Sequence, residues 1–238
     1  MTLQAPVSVL IAVHNGEKYL AEAVESVLGQ TLPPVELLVI DDGSTDSTPE
    51  VCAAFGARLR YLRRPHEGVA ASINAGILET REDLLSFLDA DDLWPSSKLE
   101  QQLLAINSSA DTDMVFGRME QFRSPELPEV LASVRHPLLD GYSRGAMLIR
   151  RSAFARTGGF DARWRVGEFV DWYLRARDLG LREVMLPDLV LRRRLHANNM
   201  GLRDAATRID FARIVRAALD RRQPSAGLSS IETPARST

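Results

Sequence analysis

The chain has a single cysteine, Cys52, so no internal disulfide can form, and a reducing, cytoplasmic setting fits it. It has no apolar run approaching the ~18 residues needed to cross a bilayer. Met1 to Pro6 leads straight into a strand, with no charged start followed by an apolar core, so no secretory leader is expected. Charge is nearly balanced at −3, which gives no global attraction to nucleic acid or anionic membrane and leaves room only for local basic patches. After the first strand there is neither G-x-G-x-x-G nor G-x-x-x-x-G-K-[ST]. That absence argues against a dinucleotide-binding Rossmann domain and against a P-loop NTPase. A nucleotide would have to be held by side chains and metal. No internal repeat is apparent. With 238 residues, a chain of this kind buries roughly 70–75% of its unfolded surface and folds without a disulfide or structural metal.

What is present is a regular alternation. Val7–Val13 reads as a buried strand between Pro6 and His14-Asn15-Gly16, and Lys18–Leu28 follows at helical spacing. Val35–Ile40 is a second strand, and Pro49 suits the first turn of the next helix. Leu59–Leu62 is a third strand, Gly68–Leu78 a helix of small residues able to approach the sheet closely, and Leu84–Leu88 a fourth strand. Trp94-Pro95-Ser96 opens another helix. This β-α-β-α pattern over the first ~110 residues predicts an α/β fold with a mostly parallel central sheet flanked by helices.

The second half is less regular. Strands are expected at Asp113–Phe122 and Ala146–Arg150, and a loop or short helix at Ser124–Asp140 that would shape a pocket. Glu168–Leu179 reads as a helix ending at Gly180, Leu181–His196 as two short strands around Pro187, and Asp204–Leu219 as a final amphipathic helix. One domain over residues 1–220 is expected, divided near residue 110, with 221–238 a polar tail lacking fixed structure.

Two acidic clusters follow core-type runs: Asp41-Asp42 after Val35–Ile40, and Asp89-Ala90-Asp91-Asp92 after Leu84–Leu88. A carboxylate at the C-terminal lip of a buried strand is costly unless something cationic or hydrogen-bonding meets it. That lip is also where ligands bind in open α/β sheets. The spacing Asp89-x-Asp91 lets two carboxylates turn to one hard divalent ion, although an acidic capping turn before Trp94-Pro95 is the plainer alternative. Asp41 or Asp42 can serve the turn that follows, leaving the other for a base N–H or a ribose hydroxyl.

Val7–Gly16, then Val39-Ile40-Asp41-Asp42-Gly43-Ser44-Thr45-Asp46, then Phe87–Trp94 resemble the successive signatures of family-2 glycosyltransferases of the GT-A fold. The likeness covers about residues 7–200 in order and spacing. It implies a nucleotide-sugar donor, UDP- or dTDP-linked, a divalent metal (Mn2+ or Mg2+), and inversion at the anomeric carbon. It places donor binding on Ala12, His14, Asn15, Asp41, Asp42, Asn74, Asp89, Ala90, Asp91 and Arg194, and metal binding on Asp89, Asp91 and His196. The first ~110 residues would form the nucleotide-sugar half and 111–220 the acceptor half.

The family's later acidic motif resembles Val170-Asp171-Trp172-Tyr173-Leu174-Arg175, which puts the catalytic base at Asp171. Val170 replaces the acidic residue that usually precedes it, and Glu168 stands two residues earlier as a second candidate. Both would also suit the positive end of a helix without catalysis. Arg192-Arg193-Arg194-Leu195-His196 resembles the closing basic segment, and alternation puts Arg192, Arg194 and His196 on one face, Arg193 on the other. Ile73 stands where the family commonly has Arg, and His14 where an aromatic residue often stacks on the base. Two other readings stay open. A sugar-1-phosphate nucleotidyltransferase would want a glycine-rich, Arg-containing loop after strand one. A non-catalytic nucleotide-sugar-binding relative is favoured only by Val170. The acceptor, whether saccharide, lipid carrier, peptide or small metabolite, is not legible. Ser124–Asp140 and the Gly141–Arg144 turn are expected to engage it.

Overall fold

The computed structural model describes residues 4–126, 138–196 and 205–222. In chain order the elements are β1 (Ala5–Val13), α1 (Leu20–Leu28), β2 (Pro34–Asp42), α2 (Thr48–Ala54), β3 (Arg60–Arg64), α3 (Val69–Glu79), β4 (Leu84–Asp89) and α4 (Lys98–Asn107). They continue with β5 (Met114–Arg123), β6 (Leu139–Asp140), β7 (Leu148–Arg150), α5 (Arg151–Thr157), α6 (Glu168–Asp178), β8 (Glu183–Leu195) and α7 (Ala205–Arg222). The sheet runs β3-β2-β1-β4-β7-β5-β6, with β8 also on β5. β1 is parallel to β2 and β4, and β2 to β3. From β1 the chain builds outward through β2 and β3, then returns to lay β4 on the other side of β1. The strand order therefore reverses beside β1, which is where open α/β sheets bind ligands.

Alternation along each buried strand divides the core in two. Val7, Val9 and Ile11 of β1 and Leu37 and Val39 of β2 pack with Leu20 and Val24 of α1 and Leu99 and Leu103 of α4. Leu10, Leu38, Ile40 and Phe87 face the other way, onto Ile73 of α3 and an aromatic group that includes Phe116, Phe154, Phe169 and Trp172. The small-residue helix does pack closely. A Cβ at Gly76 would stand 2.8 Å from Ile40 Cδ1 and 2.9 Å from Leu10 Cδ2, so any larger residue would have to displace those side chains.

Three elements differ from the sequence reading. β8 is one strand, not two: Pro187 lacks an N–H, and the ladder accommodates it by shifting register against β5 between Phe116 and Met119. The segment expected as strand Ala146–Arg150 begins as a 3-10 turn at Arg144–Ala146, and only Leu148–Arg150 pairs. α5 was not anticipated. The final helix runs Ala205–Arg222. Most of the expected loop between Ser124 and Asp140, residues 127–137, and the expected tail from 223 lie outside the described residues.

Candidate active site

The tips of β1, β2 and β4 meet at one edge of the sheet, since Val13 pairs with Asp41 and Ala12 with Asp89. The loop after β1 is stitched to the loop after β2. Asn15 takes a left-handed backbone (φ 53°), its N–H donates to Ser44 Oγ (2.9 Å), and its Oδ1 accepts from Thr45 N (2.8 Å). Gly16 N donates to Thr48 Oγ1 at 2.9 Å.

The two acidic lips differ in character. Asp41 and Asp42 are almost wholly buried. Asp41 accepts from Ser44 N (2.7 Å) and from the Tyr61 hydroxyl. Asp42 accepts from Glu67 N and Gly68 N (both 2.9 Å) and from Ser72 Oγ (2.7 Å). Burial works to raise both carboxyls, but these hydrogen bonds outweigh it and hold them below the usual carboxylate range. Gly43, at φ 75°, permits the close approach of this tip to the chain after β3, where a Cβ would lie 2.9 Å from His66 N. His66 Nδ1 stands 2.8 Å from Asp42 Oδ2. The His66 ring stacks on His14 at 4.0 Å, and His14 Nδ1 lies 2.8 Å from the Asp42 carbonyl. His14, Asp42 and His66 have donor atoms within 4.8 Å of one another, a set able to hold a cation.

At the β4 tip the carboxylates are open: Asp89 is 42% and Asp91 32% exposed. Asp91 Oδ2 lies 2.8 Å from His196 Nε2, and the His196 ring is 4.9 Å from that of Tyr19. Asp92 is buried behind them and accepts from Arg194 N at 2.8 Å. Burial first, then the charges of Asp89 and Asp91, hold its carboxyl well above the ordinary aspartate value. Arg194 is buried, with Nη2 on Glu22 (2.8 Å), Nε on the Asp91 carbonyl (2.9 Å), and its plane over Tyr19 and Phe122. The expected alternation holds, with Arg194 and His196 inward and Arg193 exposed.

Arg144 joins this lip to α6. Its buried guanidinium pairs with both Asp89 and Glu168. Burial alone would depress the guanidinium, but the charges of Asp89 and Glu168 outweigh it and raise it above the ordinary arginine value. The backbone beside it is fixed from below. Trp94 Nε1 donates to the Gly145 carbonyl (2.9 Å), Gln102 Nε2 to that of Ala146 (2.8 Å), and Ser86 Oγ to that of Met147 (2.6 Å). Lys98, with no exposed surface, supports the set through Ser86 Oγ and Gln102 Oε1, both at 2.8 Å, and lies 3.8 Å over the Trp94 ring.

The two expected catalytic acids share one face of α6, a turn apart, but have different partners. Glu168 faces Arg144. Asp171 is held by Arg175 Nε (2.9 Å) and Arg221 Nη1 of α7 (3.3 Å). Asn74, expected near the donor, spends its amide on Phe160, donating to the carbonyl (2.7 Å) and accepting from the N–H (2.9 Å). Ala12 and Ala90 are partly buried wall residues packed against the core. His66, Tyr61 and Tyr19 were not singled out from sequence. Arg144 was expected only in a turn facing the acceptor. No helix among the described residues is long and apolar enough to cross a membrane.

Carboxylates such as Asp89 and Asp91 are the donors a hard divalent ion such as Mn2+ or Mg2+ prefers, but among the described residues Asp89, Asp91 and His196 do not bring three ligand atoms within 4.8 Å of one another, as His14, Asp42 and His66 do. A family model described as glycosyl transferase family 2 matches residues 8–165. An uncharacterized glycosyltransferase of Rickettsia typhi is 29% identical over 172 residues, 65% of this chain and 53% of its own length. Glycosyltransferase GlyG of Streptococcus pneumoniae is 35% identical over 115 residues, 47% of this chain and 38% of its own length. The chain thus spans about half or less of these curated relatives. S. aureus TarS 1–349 in complex with UDP-GlcNAc superposes with a TM-score of 0.72 at 19% identity, over 89% of this chain and 65% of that one. Mannosyltransferase PcManGT of Pyrobaculum calidifontis, in complex with GDP-Man and Mn2+, gives 0.63 at 18% identity, over 92% and 64%. At those identities the likeness speaks for the fold, which is that of GT-A glycosyltransferases. Taken with the family model, which spans well over half of the residues, it shows that this chain belongs to glycosyltransferase family 2.

Proposed function

We propose that this domain moves a sugar from a nucleotide-sugar to an acceptor hydroxyl by single displacement, with inversion at the anomeric carbon. Asp89 and Asp91, with His196 beside them, would hold a divalent ion, whose charge would neutralise the departing diphosphate. Asp41 and Asp42 are committed to the loops around them. Base recognition is therefore assigned to the exposed His14–His66 stack, whose ring face can take a nucleobase. A nucleoside diphosphate ligand fits the complexes of the two structural neighbours, with UDP-GlcNAc and with GDP-Man.

The observation that carries the reading is the shared guanidinium: Arg144 ties an open carboxylate of the β4 lip to Glu168. Glu168, and not Asp171, is therefore the acid connected to the reacting end of the crevice. We assign it as the general base, its carboxylate taking the proton of the acceptor hydroxyl as that oxygen attacks C1 and the C1–O bond to the diphosphate breaks. Asp171 is a positioning residue that fastens α6 through Arg175 and α7 through Arg221. The test compares Glu168→Gln with Asp171→Asn in a sugar-transfer assay with Mn2+. Glu168→Gln should keep donor binding and lose about 10²–10⁴-fold in transfer. Asp171→Asn should retain more activity and melt at a lower temperature. A Glu168→Gln enzyme with the parental rate beside an inactive Asp171→Asn returns the base to Asp171. Parental transfer rates in both variants would remove the base from α6 altogether, and donor binding without transfer by the parent itself would sustain the non-catalytic reading.

A further inference from the structure

We propose that Arg144 is the resident cation of the β4 lip: its guanidinium and a divalent ion compete for Asp89, so metal loading displaces Arg144 from that carboxylate while it stays on Glu168. The inference rests on the metal reading of Asp89 and Asp91 given above.

Four observations carry it. First, Arg144 is the cation on Asp89, one of the two carboxylates assigned to the ion, and a guanidinium cannot vacate the site by losing a proton. Two cations on one carboxylate repel at short range in a partly desolvated site, so occupancy by one opposes the other. Second, the two partners differ in access. The Arg144 side chain is 9% exposed and Asp89 42%, so an ion can reach Asp89 from solvent while Arg144 cannot retreat into it. Third, Arg144 has somewhere to remain. It keeps its ion pair with Glu168 when it leaves Asp89. Fourth, the backbone that carries it is fixed by Trp94, Gln102 and Ser86, so the exchange needs only the side chain to move.

A salt bridge that merely braces the site predicts the opposite sign: removing Arg144 would loosen Asp89 and weaken the metal. The experiment titrates Mn2+ into the parent, Arg144→Met and Arg144→Lys, with and without UDP, and reads free Mn2+ by electron paramagnetic resonance. Coupling of this kind is typically 5- to 150-fold, and Arg144→Met should bind Mn2+ more tightly by a factor in that range. Lysine is a point charge that cannot fork onto two carboxylates, so Arg144→Lys should fall between. If Arg144→Met does not fold by circular dichroism, the Arg144→Lys affinity decides by the same sign. A Kd equal to or weaker than the parent's overturns the exchange while leaving the metal site itself intact. If the parent takes up no Mn2+ with or without UDP, the metal reading fails and this inference falls with it.

Discussion

Lys98 offers the sharpest test of how the site is supported. It is wholly buried, and among the described residues its amine has two neutral acceptors and an aromatic face but no carboxylate as partner. Burial pushes its pKa well below the ordinary lysine value. Below the unfolded value near 10.4 the unfolded chain holds a proton that burial disfavours in the fold, so the group removes stability there, about 1.4 kcal/mol for every tenfold loss in proton affinity. Lys98→Met relieves that cost but leaves Gln102 Oε1 without its donor, a loss of about 1–3 kcal/mol. The variant should be more stable than the parent at pH 7, because the desolvation relieved outweighs the hydrogen bond lost. The sign of the pH dependence follows from proton counting. Between the depressed folded pKa and ~10.4 the unfolded chain binds the extra proton, so the parent gains stability as pH rises. The variant lacks this contribution, and its advantage should shrink toward pH 10. Urea melts of both proteins from pH 6 to 9.5 isolate the difference, because every other titrating group is common to the two. An advantage that stays constant with pH, or a variant weaker than the parent at pH 7, would refute the reasoning. Transfer activity should fall although stability rises, because Ser86 and Gln102 lose the group that orients them beneath Gly145–Met147.

Gly76→Ala should cost about 1–2 kcal/mol by denaturant unfolding: overpacking against Ile40 and Leu10 costs about 1–3 kcal/mol, against a helix-propensity gain of at most ~1. Asp91→Ala should abolish the Mn2+-dependent part of donor stabilisation in a thermal-shift assay, where a ligand at 100 times its Kd adds about 2.7 kcal/mol. Ser72→Ala removes a hydroxyl donor to buried Asp42 and should destabilise by about 1 kcal/mol. Asp42 is held below its ordinary value in the fold, so its contribution is present above the unfolded value near 3.9 and fades as pH falls through the folded one. Circular dichroism on acid titration should show the Ser72→Ala variant unfolding at a higher pH than the parent.

The first half of the fold is legible because each buried strand is a short apolar run ending in turn chemistry, so β1, β2 and β4 fall where Val7–Val13, Val35–Ile40 and Leu84–Leu88 are expected. The second half is not, because its segments are short and answer to tertiary contacts. Leu148–Arg150 pairs over three residues, and Arg144–Ala146 is shaped by Gln102 of α4 and by Trp94 in the segment before it, contacts that no local pattern announces. Pro187 is a fair signal for a strand break, yet β5 offers a ladder long enough to absorb it by changing register. Phe160 takes both ends of the Asn74 amide from 86 residues away, a pairing no spacing rule contains.

Sequence alone gives each acidic lip a ligand, a base or ribose at Asp41-Asp42 and a metal at Asp89 and Asp91; exposure and partners separate them further. Asp41 and Asp42 are the more deeply buried pair, and each is met by backbone N–H and hydroxyl donors that its own sheet edge supplies. A carboxylate so satisfied is bound to its loops, and drawing it onto a ligand would strand those donors in a dry site. Asp89 and Asp91 are open, and their strongest partners are cationic or ionisable side chains, Arg144 and His196, that can move without breaking the sheet. The same strand-end position therefore yields two functions. Where donors come from backbone, the acid organises the crevice; where they come from side chains, it can exchange partners. On the reading proposed here, that difference is why the chemistry is placed at the β4 tip and the shaping of the nucleotide side at β2.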